Sequence, residues 1–125
     1  MRSNTVRLLT ESANTISSQT TMSQFEVFEN PIVRARHAYP FVAVLQSDFA
    51  DTGRDRIVAP LVPRTSLPGT AGRLHPHVQV SGAECILLVP GMTAIAAVDL
   101  RDTRGNLKAY RSDIIAALDF LFLGV

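Results

Sequence analysis

Downstream of Met22 the chain alternates short apolar runs with turn-forming residues. The runs are Phe25 to Phe28, Phe41 to Gln46, Ile57 to Val62, Val78 to Val80, Cys85 to Val89 and Ile95 to Leu100. Between them stand Asn30-Pro31, Asp51-Thr52-Gly53, Pro68-Gly69, Ser81-Gly82, Pro90-Gly91 and Arg104-Gly105-Asn106. Each break carries Gly, Pro or Asx, which favour turns for different conformational reasons. Runs of this length at this spacing predict a mainly β domain of antiparallel strands. Ser81-Gly82 is short enough to close a hairpin directly. Pro60 and Pro63 predict that the third run is an edge strand or carries a bulge, because proline cannot donate to a sheet ladder.

The period changes at the end of the chain. Ile114, Ile115, Leu118, Leu121 and Phe122 recur at i, i+3 and i+4, the spacing of a helix laid on a sheet. The hydroxyl of Ser112 is expected to cap its first turn, where Asp113 meets the positive end of the helix dipole. Gly124 is expected to end it. Phe120 and Leu123 fall toward the other flank and leave apolar surface for something outside the monomer. Phe120, Leu121, Phe122, Leu123 and Val125 are crowded into the last six positions with no polar tail after them. Exposed termini are usually poorly ordered, so an apolar one is expected either to be packed or to be offered to a partner. A helix that is apolar on two sides in so small a domain predicts a homodimer, since symmetric pairing is the commonest cover for such a surface.

With 125 residues, 46% hydrophobic and 18% charged, the chain has enough apolar material for one folded domain and too much for a disordered one. A net charge of +1 gives no basic footprint of the kind nucleic acids require. No segment approaches the about 20 apolar residues of a membrane span. The single cysteine, Cys85, excludes an internal disulfide framework, fits a cytoplasmic location, and lies in an apolar run where burial is the ordinary outcome. Residues 1–21 differ from the rest, being rich in Ser, Thr and Asn with only Val6, Leu8 and Leu9 as an apolar cluster. They read as a disordered leader or an over-long start, and 22–125 as the domain.

Catalytic and cofactor signatures are scarce: there is no P-loop, dinucleotide fingerprint, nucleophile elbow or paired cysteine motif. His75-Pro76-His77 would put two imidazoles on one face of a strand, but a metal site needs about four ligands and none stands nearby in sequence. Neither a metal nor a cofactor is expected. Arg34, Arg36 and His37, with Asp48, Asp51, Arg54, Asp55 and Arg56 a strand and a loop away, could supply the acid, base and phosphate-stabilising groups of a ribonuclease. A solvated face of mixed charge, or a protein-binding rim, accounts for the same residues.

The order of the segments resembles the CcdB family, toxins of type II toxin–antitoxin modules that poison DNA gyrase. Gln24-Phe25-Glu26-Val27 is similar to the family's first strand, and Phe41 to Leu45 followed by Gln46-Ser47-Asp48 to its apolar strand with Gln-Ser-Asp. Arg56-Ile57-Val58-Ala59-Pro60-Leu61 is similar to its basic residue, apolar pair and Pro-Leu. Leu74-His75-Pro76, with Val78 and Val80 behind it, looks like its Leu-aromatic-Pro strand, and Asp113-Ile114 with Ala117 to Gly124 like its last helix.

The resemblance implies an SH3-like barrel of the CcdB–MazF type, mainly β with a C-terminal α-helix, acting as a homodimer without catalytic residues. It implies that the tip enters the gyrase A subunit and traps cleaved DNA. By position that tip is Leu123, Gly124 and Val125 beside Phe122, with Leu123 where the family has Trp. It also implies a partly disordered, CcdA-like antitoxin, with DNA reached only through the toxin–antitoxin complex. Antitoxin tails tend to be acidic, so Arg34, Arg36 and His37, helped by Arg54 and Arg56, are the expected antitoxin contacts. A ribonuclease toxin on a related barrel, and a non-toxic relative that keeps only dimerisation and antitoxin binding, are the alternatives.

Overall fold

The computed structural model describes residues 23–50, 52–67 and 72–125; the leader, Asp51 and Pro68-Gly69 lie outside them. Among the described residues the strands are β1 (Glu26–Glu29), β2 (Phe41–Val44), β3 (Asp55–Pro63), β4 (His77–Val80), β5 (Ala83–Leu87), β6 (Thr93–Ala96) and β7 (Thr103–Asn106), followed by helix α1 (Arg111–Leu123). All pairings are antiparallel, in the order β4-β5-β3-β2-β1-β7, with β6 paired to β3. The sheet curls into a half-barrel. Its two ends are tied where the Ser81 hydroxyl donates to the Arg104 carbonyl at 3.0 Å, and the Tyr110 hydroxyl accepts the Gln79 N–H of the β4 edge at 3.1 Å.

Alternation along the strands divides the apolar residues between two faces. Val27, Ala43, Ala59, Leu61, Val78, Val80, Cys85 and Leu87 face inward with Leu107, Ile114 and Ala117. Phe28, Val42, Val44 and Val58 form a second cluster with Leu100, against which Ile95 packs. The inner face is closed by the helix. The outer face is covered by β6 and the segment that follows it.

The Ser81-Gly82 hairpin is as expected: β4 and β5 pair from Val80↔Ala83, and both loop residues have positive φ, 51° and 83°. That is the requirement of the hairpin turn whose twist matches its strands. Four expectations are corrected. The third run is central, not an edge: β3 pairs with β2 along one side, and along the other with β6 at Asp55–Val58 and β5 at Leu61–Pro63. Pro60 falls between those two partners, where it still accepts the Leu88 N–H at 2.9 Å and its missing donor is not required. The run from Ile95 to Leu100 is a strand only to Ala96, after which Ala97–Asp99 turns in a 3-10 helix.

The expected turn at Arg104-Gly105-Asn106 is strand β7, which pairs with β1 through an irregularity. Its side chains are all exposed, so it has no hydrophobic signature. Finally, Ser112 does not cap the helix. A 3-10 turn at Lys108–Tyr110 leads directly into α1, the Arg111 N–H donating to the Lys108 carbonyl, and no side chain caps the end. Ser112 thus lies inside the helix, whereas Asp113 does occupy the first turn.

Candidate functional site

Helix α1 turns Ile114 and Ala117 into the core, while Ile115, Leu118 and Leu121 are half-buried. Its last turn carries Phe122 at 68% exposure and Leu123 at 69%, with Val125 beyond it at 69%. Phe122 was expected on the sheet-facing stripe; it points outward instead, and Phe120 from the other flank is half-buried. Gly124 closes the helix in the left-handed region at φ 73°, its N–H donating to the Phe120 carbonyl at 3.1 Å. A side chain with a Cβ rarely adopts that conformation. The Arg73 guanidinium lies 4.2 Å from the centre of the Phe120 ring. The result is an apolar tip on a packed and capped helix. A buried side chain of this kind contributes roughly 1.5–3 kcal/mol, so the tip can anchor a partner that supplies an apolar pocket.

The loop from Asn30 to Pro40 is organised by Asn30, whose side chain is the buried polar one among the described residues at 4% exposure. Its Nδ2 donates to the Tyr39 carbonyl at 2.8 Å, and its Oδ1 accepts the Ile32 N–H at 2.9 Å. Arg36 donates from Nε to the Asn30 carbonyl at 2.6 Å, and its Nη2 lies 3.8 Å from Glu29. Arg34 and His37 are exposed. Arg56 donates from Nη1 to the carbonyls of Gly53 and Asp55, both at 2.8 Å, and Arg54 is exposed.

The fold keeps these residues in two groups. Glu29, the partner of Arg36, is opposite Phe41 and thus level with Leu61, whereas Arg56 sits near the start of β3, roughly 17 Å away at about 3.4 Å per residue.

Apolar residues that a charge-based reading passes over sit beside them. Ile32, Val33 and Tyr39 are exposed in the first loop, and Phe49 is 98% exposed in the loop from β2 to β3. Gln46-Ser47-Asp48 builds that second loop. Gln46 Oε1 accepts the Ile57 N–H at 3.1 Å, Ser47 Oγ accepts the Phe49 N–H at 3.1 Å, and Asp48 Oδ1 accepts the Gln24 N–H at 2.7 Å. The signal for Phe49 in the sequence was an aromatic outside any apolar run, flanked by Asp48 and Ala50. His75 and His77 line a cavity of about 390 Å³ with Arg73 and Asp113. The carboxylate in that lining, Asp113, comes from the helix, a long way off in sequence, and among the described residues no three His, Cys, Asp or Glu side chains are grouped to hold a metal ion. Cys85 is buried, which pushes its thiol pKa up.

A curled antiparallel half-barrel sheet with one C-terminal helix is consistent with the CcdB fold. Residues 24–124 match the family described as CcdB protein, and the chain belongs to that family, the toxins of toxin–antitoxin modules. No curated protein matches the chain. No helix among the described residues is long and apolar enough to cross a membrane.

Proposed function

We propose that this toxin acts by binding, with Leu123, Gly124 and Val125, flanked by Phe122, entering the gyrase A subunit and trapping it on cleaved DNA. The observation that carries this reading is the tip itself: three large apolar side chains stand about two-thirds exposed at the end of a helix that is anchored in the core by Ile114 and Ala117. An isolated exposed leucine is ordinary, but such a cluster on an ordered element marks an interaction surface. The half-buried flank of α1 supports a homodimer, in which two tips would stand on one assembly.

A CcdA-like antitoxin would bind through Arg34, Arg36 and His37, with Arg54 and Arg56 forming a second, separate contact. Disordered segments wrap large surfaces as they order on binding, which suits two separate contacts for one acidic tail. Arg36 and Arg56 keep further N–H donors after their internal bonds, so both remain able to take a carboxylate.

The test incubates the protein with gyrase and supercoiled plasmid. Cleaved plasmid is expected with the parent chain and none with Leu123→Asp or with Gly124 and Val125 deleted, while sedimentation shows the same dimer for all three. Toxicity that survives both changes, or cleavage of RNA under the same conditions, would sink the reading and bring the ribonuclease alternative forward.

A further inference from the structure

Phe120 occupies an unusual position in the terminal turn. Its ring is covered by the Arg73 guanidinium at 4.2 Å, while its carbonyl accepts the Gly124 N–H that closes the helix. One residue therefore links the segment before β4 to the helix cap. Leu123 and Val125 flank Gly124 directly, so their directions depend on the turn that this hydrogen bond completes. The other contacts of α1 with the core are made earlier, by Ile114, Ala117, Leu118 and Leu121. Beyond Leu121 the helix has no buried side chain. A short apolar tip at the end of a fraying turn would lose binding energy to the entropy of ordering it.

We infer that Arg73 is a positioning residue for the tip: its guanidinium clamps the Phe120 ring, and through the Phe120 carbonyl it holds the Gly124 cap closed and sets the direction of Leu123 and Val125. Arg73 is exposed and meets the terminal turn at the Phe120 ring, so the positioning role runs through Phe120 and is read without any partner present. A cation over an aromatic face at an exposed site changes an opening equilibrium by roughly two- to fivefold, enough to shift a terminal turn and too little to unfold the domain. The link to binding rests on the proposal that the tip contacts gyrase; the clamp itself does not.

The experiment measures amide exchange of Gly124 by NMR in the full chain without any partner, for the parent, Arg73→Ala, Arg73→Lys and Phe120→Leu. Exchange of the Gly124 amide is expected to quicken by about two- to fivefold in Arg73→Ala and Phe120→Leu. Arg73→Lys, which keeps a cation over the ring, should stay nearer the parent, and the amides of Ile114 and Ala117 should not change in any variant. Gly124 exchange that is the same in Arg73→Ala as in the parent overturns the clamp, as does an equal rise at Ile114, which would mean general destabilisation. Affinity for the isolated gyrase A subunit is measured on the same four proteins. If the parent does not bind, the gyrase reading fails while the exchange data still decide the clamp. If it binds and Arg73→Ala quickens exchange without weakening affinity, the positioning role is refuted.

Discussion

Replacing Asn30 with Ala tests how the loop bearing Arg34 and Arg36, the proposed antitoxin contacts, is held. Asn30 is buried and its amide makes two hydrogen bonds, to the Tyr39 carbonyl at 2.8 Å and from the Ile32 N–H at 2.9 Å. Alanine removes both while leaving the backbone bond from the Asn30 N–H to the Pro40 carbonyl at 3.0 Å. At about 1 kcal/mol net for each bond, with the freed groups near enough to the surface to find water, the loss is about 2 kcal/mol. For a domain of this size that lowers Tm by roughly 8–16 °C. Asn30→Asp keeps the acceptor for Ile32 but loses the donor to Tyr39 and buries a charge, so it should be at least as damaging. Thermal unfolding followed by circular dichroism gives the shift. Titration with antitoxin at 25 °C is expected to show weaker binding as well, because Arg36 donates to the carbonyl of this same residue. A fall in Tm of less than about 2 °C for Asn30→Ala would show that these two bonds do not hold the loop.

Leu123→Trp is expected to tighten gyrase binding by roughly tenfold, since Trp offers more area and an N–H donor; unchanged or weaker binding in a pull-down titration would mean that the pocket is matched to leucine. Charge reversal at both Arg34 and Arg36 should weaken antitoxin binding and flatten its salt dependence, and an identical affinity at low and high salt in parent and variant would remove these residues from the interface. Burial raises the Cys85 thiol pKa, so the folded state holds its proton longer than the unfolded one. The associated stability is complete below the ordinary thiol range, about 8.5, and is lost as pH rises through the folded value. Unfolding free energy should therefore fall more steeply with rising alkaline pH in the parent than in Cys85→Ala, and parallel slopes would contradict this.

What could be read from residues alone was what their own chemistry decides locally. Ser81-Gly82 closes a hairpin because a two-residue loop needs positive φ at both positions, and Gly124 ends α1 because the helix end needs a left-handed residue. Apolar runs between breakers located most of the strands, and the crowding of Phe122, Leu123 and Val125 marked the tip before any fold was known. What the tertiary structure decided was the identity of each neighbour. Pro60 marks an edge when judged by its missing donor, but it lies in a central strand because β6 and β5 leave a gap opposite it. Strand β7 carries no periodic signal because its side chains bury nothing; only the backbone of β1 makes it a strand. The arginines that charge pattern groups together are parted by the length of the β2–β3 pair, and Phe120 meets Arg73 across a separation no local rule registers. Backbone angles and periodicity are properties of a few adjacent residues, whereas pairing, burial of a helix flank and the meeting of distant side chains depend on where the whole chain has gone.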